Sequence, residues 1–264
     1  MRSLRSLFTS PKPEARDEEA PAPFRGGLPA PEQGFVAIGD IHGCSEALAL
    51  MWEKIAAAAP GLTVVHVGDY IDRGPDSAGV LRMLSERQAK AGDIICLKGN
   101  HEDMFLDFLE APEEKGERFL RYGGLQTLES FKGMALSGVR GPEELRKTRD
   151  AVVEQIGPET RQMLGAMQTL WKSGNVAVVH AGADPRKPIE GQRASNLTWG
   201  HPAFGKLARA DGIWIVHGHT IVDRPTMANG MISIDTGAYA NGRLTAAIIR
   251  PDQEVEFLQV AAGK

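Results

Sequence analysis

Phe35-Val36-Ala37-Ile38-Gly39-Asp40-Ile41-His42-Gly43 is a short apolar run that stops on a glycine and delivers an aspartate and a histidine two residues apart. The same arrangement returns twice. Leu62 to Val67 runs into GDYIDRG at 68–74, and Ile94 to Leu97 runs into GNHE at 99–102. The three strings stand about thirty residues apart, the length of one β-strand plus one crossover helix. Three such units in one parallel sheet bring Asp40, His42, Asp69, Asp72, Asn100 and His101 to one edge, where open α/β sheets build their sites. Carboxylate, imidazole and amide oxygen are ligand types for hard-to-borderline divalent metals.

The segments between the strings fit this reading. Residues 45–59 predict a helix with Ser45 as N-cap and Leu48, Met51, Trp52 and Ile55 at helical spacing. Residues 76–91 predict a second, with Val80, Leu81 and Leu84 on one face, and 101–110 a third. The order β-α-β-α-β-α favours a parallel, right-handed start. From 111 to about 173, charged helical segments broken by Gly123-Gly124, Gly133, Gly141-Pro142 and Gly157-Pro158 read as a helical insertion covering one side of the sheet. Strands return at 175–180, 213–217, 231–235, 244–250 and 255–260. Short turns separate the last three, Ala240-Asn241-Gly242 among them, which predicts an antiparallel second half.

Composition narrows the function. The chain has 264 residues, enough for one large domain, and a net charge of −4 gives no electrostatic case for nucleic acid or an acidic membrane. No stretch is long and apolar enough for a membrane span or a signal peptide. Two cysteines, Cys44 and Cys96, do not make a secreted disulfide framework, so a reducing cytoplasm is the expected compartment. Residues 1–33 open with Arg2, Arg5 and Lys12 and continue as an acidic, Pro/Ala-rich stretch; they read as a disordered tail ahead of a domain over 34–264.

Asp40 and His42 lie one strand period apart, so both can face one metal. Asp69 could bridge two metals from the neighbouring strand. Asn100 offers an amide oxygen, and His180 and His219 could complete the second metal from later strands, with His217 as the rival of His219. His66, inside a strand run, reads as a core or surface histidine and not as a ligand. Gly200 to Lys206 nearly matches a phosphate-binding P-loop but has Leu207 where a Ser or Thr is required.

GDIHG, GDYIDRG, GNHE, HAG at 180–182 and HGHT at 217–220 resemble, in order and spacing, the calcineurin-like metallophosphoesterases. The DRG ending resembles the branch of protein Ser/Thr phosphatases and bacterial diadenosine tetraphosphatases. The resemblance implies an α-β-β-α sandwich of two sheets in the α/β class, and two divalent ions, manganese first, with iron or zinc as alternatives. Asp40 and His42 would hold the first ion, Asp69 would bridge, and Asn100, His180 and His219 would hold the second. His101 would be the general acid, oriented by Asp72, and Arg73 would grip the phosphate. One departure stands out: where bacterial members carry Trp-Ile-Arg, this chain has Trp199-Gly200-His201. Either His201 takes the place of that second phosphate-binding arginine, or Arg121, Arg186, Arg193 or Arg224 supplies it. The implied activity is hydrolysis of phosphomonoesters on protein serine or threonine by a hydroxide bridging two metals. Dinucleoside polyphosphate hydrolysis is the alternative. The expected partner is a phosphorylated protein or a small phosphoester, with neither nucleic acid nor membrane.

Overall fold

In the computed structural model, which describes residues 23–132 and 141–263, β1 (Phe35–Ile38) has no face open to water. Phe35 and Ala37 point one way and Val36 and Ile38 the other, as the two-residue period of a strand requires, and each pair enters a different apolar core. β1 is therefore the middle of a sandwich. From it follow α1 (Ser45–Ala58), β2 (Thr63–His66), α2 (Ser77–Ala91), β3 (Ile94–Cys96) and α3 (Asn100–Glu110), the three expected βα units with boundaries shifted by at most one residue. β1, β2 and β3 pair in parallel.

The expected insertion contains α4 (Pro112–Phe119), a π-helical turn at Leu120–Gly124, α5 (Leu125–Ser130) and α6 (Pro142–Ala166), bent at Gly157. These helices share a core with α1–α3 through Phe119, Leu128, Leu145, Val152 and Leu164. The insertion ends at Ala166, earlier than expected, because Leu170–Ser173 is a strand, β4. β5 (Val176–Val179), α7 (Ala194–Trp199), β6 (Trp214–His217), β7 (Thr226–Ala228), β8 (Met231–Ser233), α8 (Ala238–Asn241), β9 (Arg243–Ile249) and β10 (Glu256–Ala261) complete the order.

Two five-stranded sheets result, β10-β9-β1-β2-β3 and β4-β5-β6-β8-β7. Val65, Leu97 and Ile249 from the first meet Val178, Trp214 and Ile232 from the second, and Phe35 and Trp171 pack edge to face at 4.6 Å. The expected antiparallel second half is corrected. β5, β6 and β8 are parallel, and only β4, β7, β9 and β10 run against their neighbours. Ala240-Asn241-Gly242 does not join a hairpin: α8 carries the chain from β8 in one sheet to β9 in the other, and β7 was not foreseen.

The tail expected over 1–33 is too long at its C-terminal end. Phe24 packs edge-on against Trp214 at 4.9 Å, the Trp214 indole donates to Gly27 O, and Asn175 accepts the Ala30 amide at 2.6 Å. Residues 24–30 thus run along the second sheet. Residues 1–22 and the break expected at Gly133 lie outside the described residues. No helix among the described residues is long and apolar enough to cross a membrane.

Candidate metal centre

The carboxyl ends of β1, β2 and β3 in one sheet and of β5 and β6 in the other meet at one place. Asp69 stands at its middle. Its carboxylate lies 3.6 Å from His42 Nε2, 3.8 Å from His101 Nε2 and 3.3 Å from His180 Nε2, and it accepts the His101 amide at 3.1 Å. Burial alone would raise its pKa, but the surrounding His180, His101 and His42 outweigh that and hold it well below the carboxylate range. Its neighbours form two groups of metal-ligand atoms that share it: Asp69, His42 and His101 on one side, Asp69, His180 and His219 on the other. A residue placed between two donor groups is where a bridging ligand belongs.

In the second group, Asn100 Oδ1 lies 3.0 Å from His180 Nε2 and 2.8 Å from His219 Nδ1, with the two ring nitrogens 3.2 Å apart. One carboxylate, one amide oxygen and two imidazoles converging at these separations suit a divalent transition metal. His219 is held neutral, as ligation requires, because burial lowers its pKa to about 4. On the other side, His42 donates from Nδ1 to Ile71 O at 2.7 Å. A carbonyl only accepts, so Nε2 is left with its lone pair toward Asp69; metal-binding histidines usually have their other ring nitrogen held in this way. Burial drives the pKa of His42 down to about 3. The residues present therefore fit two divalent ions.

Asp40 lies outside both groups but beside them, accepting the His219 amide at 3.0 Å. Burial, together with the Asp235 and Asp69 carboxylates, raises its pKa well above the usual range. His217 is not in the cluster: it donates from Nδ1 to Gly218 O at 2.9 Å, and its Nε2 faces Ser233 Oγ at 2.9 Å. Between the two rival histidines, the structure brings His219 to the site. His66 is in the core, its Nε2 3.3 Å from the Trp52 indole nitrogen.

The backbone that presents these groups is strained. His42, Asp69, Asp72, Arg73 and His219 have φ of 44°, 54°, 70°, 66° and 63°, five of the seven positive values at non-glycine positions among the described residues. Each costs on the order of 1–3 kcal/mol and persists only where the surroundings dictate it. Asp40 and His42 are thus aligned by a turn, not by the strand period expected for them. Two motif glycines make room for carboxylates: a Cβ at Gly218 would overlap Asp40 Oδ1, and one at Gly99 would overlap Asp69 Oδ1.

His101 and Asp72 form the predicted pair, with His101 Nδ1 donating to Asp72 Oδ2 at 2.6 Å. Burial works against a proton on His101, but Asp69 and Asp72 prevail and raise its pKa. The other Asp72 oxygen accepts from Thr127 Oγ1 at 2.6 Å, so α5 of the insertion fixes this carboxylate. Arg73 is exposed at the rim, its guanidinium 5.1 Å from the centre of the Tyr239 ring, which in turn packs edge-on to His42 at 5.2 Å. His201 is not drawn into the cluster; its Nε2 lies 3.8 Å from Asp184 and its Nδ1 accepts the Ala203 amide. Arg121, Arg186, Arg193 and Arg224 are all exposed.

The family model for calcineurin-like phosphoesterases matches residues 34–223. The chain belongs to this family. Calcineurin-like phosphoesterases use a dinuclear metal site, in keeping with the two groups around Asp69. The chain is 28% identical over 232 residues to the asymmetrical bis(5'-nucleosyl)-tetraphosphatase PrpE of Bacillus velezensis, covering 79% of this chain and 86% of that protein. It is also 28% identical over 220 residues to serine/threonine-protein phosphatase 1 of Salmonella typhimurium, covering 81% and 90%. The fold resembles a crystal structure of a putative diadenosine tetraphosphatase, with a TM-score of 0.58 at 21% identity over 89% of this chain and 97% of that one.

Within this phosphoesterase, sequence reasoning missed Glu102, Thr127, Asp235 and Tyr239. Glu102 is fully buried and accepts the amides of Asp69, Tyr70 and Gly99 at 2.8, 2.8 and 3.0 Å. It closes the GNHE string and was visible there. Asp235 directly follows the strand run Met231 to Ile234, where Asp40 and Asp69 follow theirs one glycine later. Tyr239 borders a cavity of about 370 Å³ that opens beside His42, with Gly43, Cys44, Pro75, Ala238 and Ala262 among its walls.

Proposed function

We propose that this phosphoesterase hydrolyses dinucleoside polyphosphates, with phosphate chemistry at the Asp69 centre and a nucleoside in the cavity walled by Tyr239. The cavity supports this reading: it is concave, largely apolar and one aromatic ring away from His42. The tetraphosphatases among the relatives support it independently. Hydrolysis of phosphoserine or phosphothreonine, the leading expectation from the sequence, is the second reading, favoured by the Salmonella relative and by the open exposure of Arg73. For either substrate, the net charge of −4 favours a small or protein phosphoester over nucleic acid.

The assignments are the same for both substrates. Asp40, His42 and Asp69 would hold one ion and Asp69, Asn100, His180 and His219 the other; manganese is the first to try. When bound, two such ions offset the phosphate charge and lower the pKa of water. The protein does the rest. Arg73 offers a fork of donors to the phosphate from the rim. His101, whose proton Asp69 and Asp72 favour against burial, would give its Nε2 proton to the leaving oxygen. Asp72 cannot turn away, because Thr127 holds its second oxygen.

The test is phosphate release from diadenosine tetraphosphate and from a phosphothreonine peptide, side by side with manganese. A higher kcat/KM on the dinucleotide is expected. Preference for the peptide would replace this substrate assignment with the second reading, and turnover of neither would overturn both.

A further inference from the structure

Six parallel strands point their carboxyl ends at this centre, three from each sheet. β1, β2 and β3 deliver Asp40, Asp69 and Asn100; β5 and β6 deliver His180 and His219. The sixth, β8, delivers Asp235, to which no role has yet been given. Its placement is as fixed as theirs. Asp235 is 3% exposed, and the Val222 amide donates to its carbonyl at 2.9 Å. A Cβ on Gly39, the residue before Asp40, would overlap Ile234 O, so the β1 and β8 ends are pressed together.

The Asp235 carboxylate lies in hydrogen-bonding contact with that of Asp40. Among the described residues it receives one hydrogen bond, from the Gly237 amide to Oδ1 at 2.9 Å. Every lysine or arginine ion pair among the described residues goes to other acids. Two buried carboxyl groups can hydrogen-bond only with a proton held between them, and both have lost their hydration, so this is a place a cation can take over. The His42 side of the centre is where a cation would relieve both.

We propose that Asp235 is a further carboxylate of the metal centre, contributing with Asp40 and His42 to the ion on that side of Asp69. The inference rests on the two-ion reading above and adds a residue to it. Asp235 thereby balances the ligand supply of the two sheets, because the second sheet otherwise reaches only the Asn100 side.

Asp235→Asn tests this, since the amide oxygen still accepts from Gly237 while the charge is gone. Metal content per chain, manganese affinity by calorimetry and melting temperature with and without manganese are the readouts. The wild-type chain is expected to bind two ions. The variant should bind the ion of that side at least about tenfold more weakly and gain less melting temperature from manganese. Without metal it should melt no lower than wild type, because the Asn amide can donate to Asp40 in place of the shared proton while its oxygen still accepts from Gly237. A purely turn-forming Asp235 gives the opposite pattern, and two ions at unchanged affinity would overturn the proposal. Asp235→Ser, which keeps a short acceptor for Gly237, gives the same readout if the first variant fails to fold. A wild-type chain that binds no manganese would bring down the two-ion reading itself, which is a different result from a variant that binds as wild type does.

Discussion

Glu102 holds the backbone of Asp69: Oε2 accepts the Asp69 amide and Oε1 the Tyr70 amide, each at 2.8 Å, across 33 and 32 residues of sequence. One buried carboxylate on α3 therefore sets the turn that aims the central ligand. Burial and the nearby Asp69 push its pKa up to about 7, yet three amides point at it and require acceptors. Glu102→Gln turns one acceptor into a donor facing N–H groups. It should destabilise the fold by about 1–3 kcal/mol in chemical denaturation and weaken manganese binding as well. Unchanged manganese affinity in a folded variant would separate the turn from the centre.

Asp69→Asn removes the charge that His42, His101 and His180 surround. Activity should vanish and the loss of metal affinity should exceed the roughly 10–100-fold typical of outer-shell changes. A chelator should reproduce the loss in the wild-type chain, with recovery on adding manganese back. A fully active Asp69→Asn enzyme would rule out a bridging carboxylate at this position.

His101→Asn should slow substrates with poor leaving groups by about 10²–10⁴-fold and aryl phosphates much less, because a phenolate departs without a proton. Rates on an alkyl and an aryl phosphate measure this directly. Equal slowing on both would assign His101 to phosphate binding.

Tyr239→Ala removes one wall of the cavity beside His42. If a nucleobase stacks there, KM for diadenosine tetraphosphate should rise roughly 2- to 10-fold, the equivalent of about 0.5–1.5 kcal/mol for an aromatic pair. KM for a phosphothreonine peptide should stay where it was. A rise on the peptide alone would place the protein substrate in the cavity.

His66 makes a prediction about acid. Burial lowers its pKa from 6.5 to about 3, so the unfolded chain binds the proton more readily than the folded one. Stability is then full above pH 6.5 and lost as the pH falls toward 3, with a slope of up to about 1.4 kcal/mol per pH unit from this residue. His66→Gln should flatten the denaturation free energy against pH over that window. A curve parallel to wild type would show that His66 is already protonated in the folded state.

Much of this was legible before the fold was seen. Asp40, Asp69 and Asn100 follow apolar runs broken by glycine, and such a pattern marks strand end and site in one stroke. His180 and His219 follow two later apolar runs, His219 after Gly218 and His180 directly after Val179. The parts that could not be read depend on partners far along the chain. Asn241-Gly242 is a strong local hairpin signal, but whether Met231–Ser233 and Arg243–Ile249 pair is decided by which sheet each joins. Phe24 sits in a Pro/Gly-rich stretch that looks unstructured, and only Trp214, 190 positions later, gives it a place. An aspartate before Thr236-Gly237 reads equally well as a turn former, so the sequence alone does not single out Asp235. Its neighbour Asp40 is what distinguishes it.

The two sheets are joined across Asp69 by groups that neither possesses alone. An ion held between Asn100 of one sheet and His180 and His219 of the other would work as a reversible cross-link, closing a loop of about eighty residues between the first pair. Prising the layers apart would then release the ions, and opening the sandwich and emptying the centre would become a single event. At a free metal concentration a hundred times the dissociation constant, one such ion adds about 2.7 kcal/mol against that opening. Proteases should find the seam between the sheets in the chelated protein well before they find it in the loaded one.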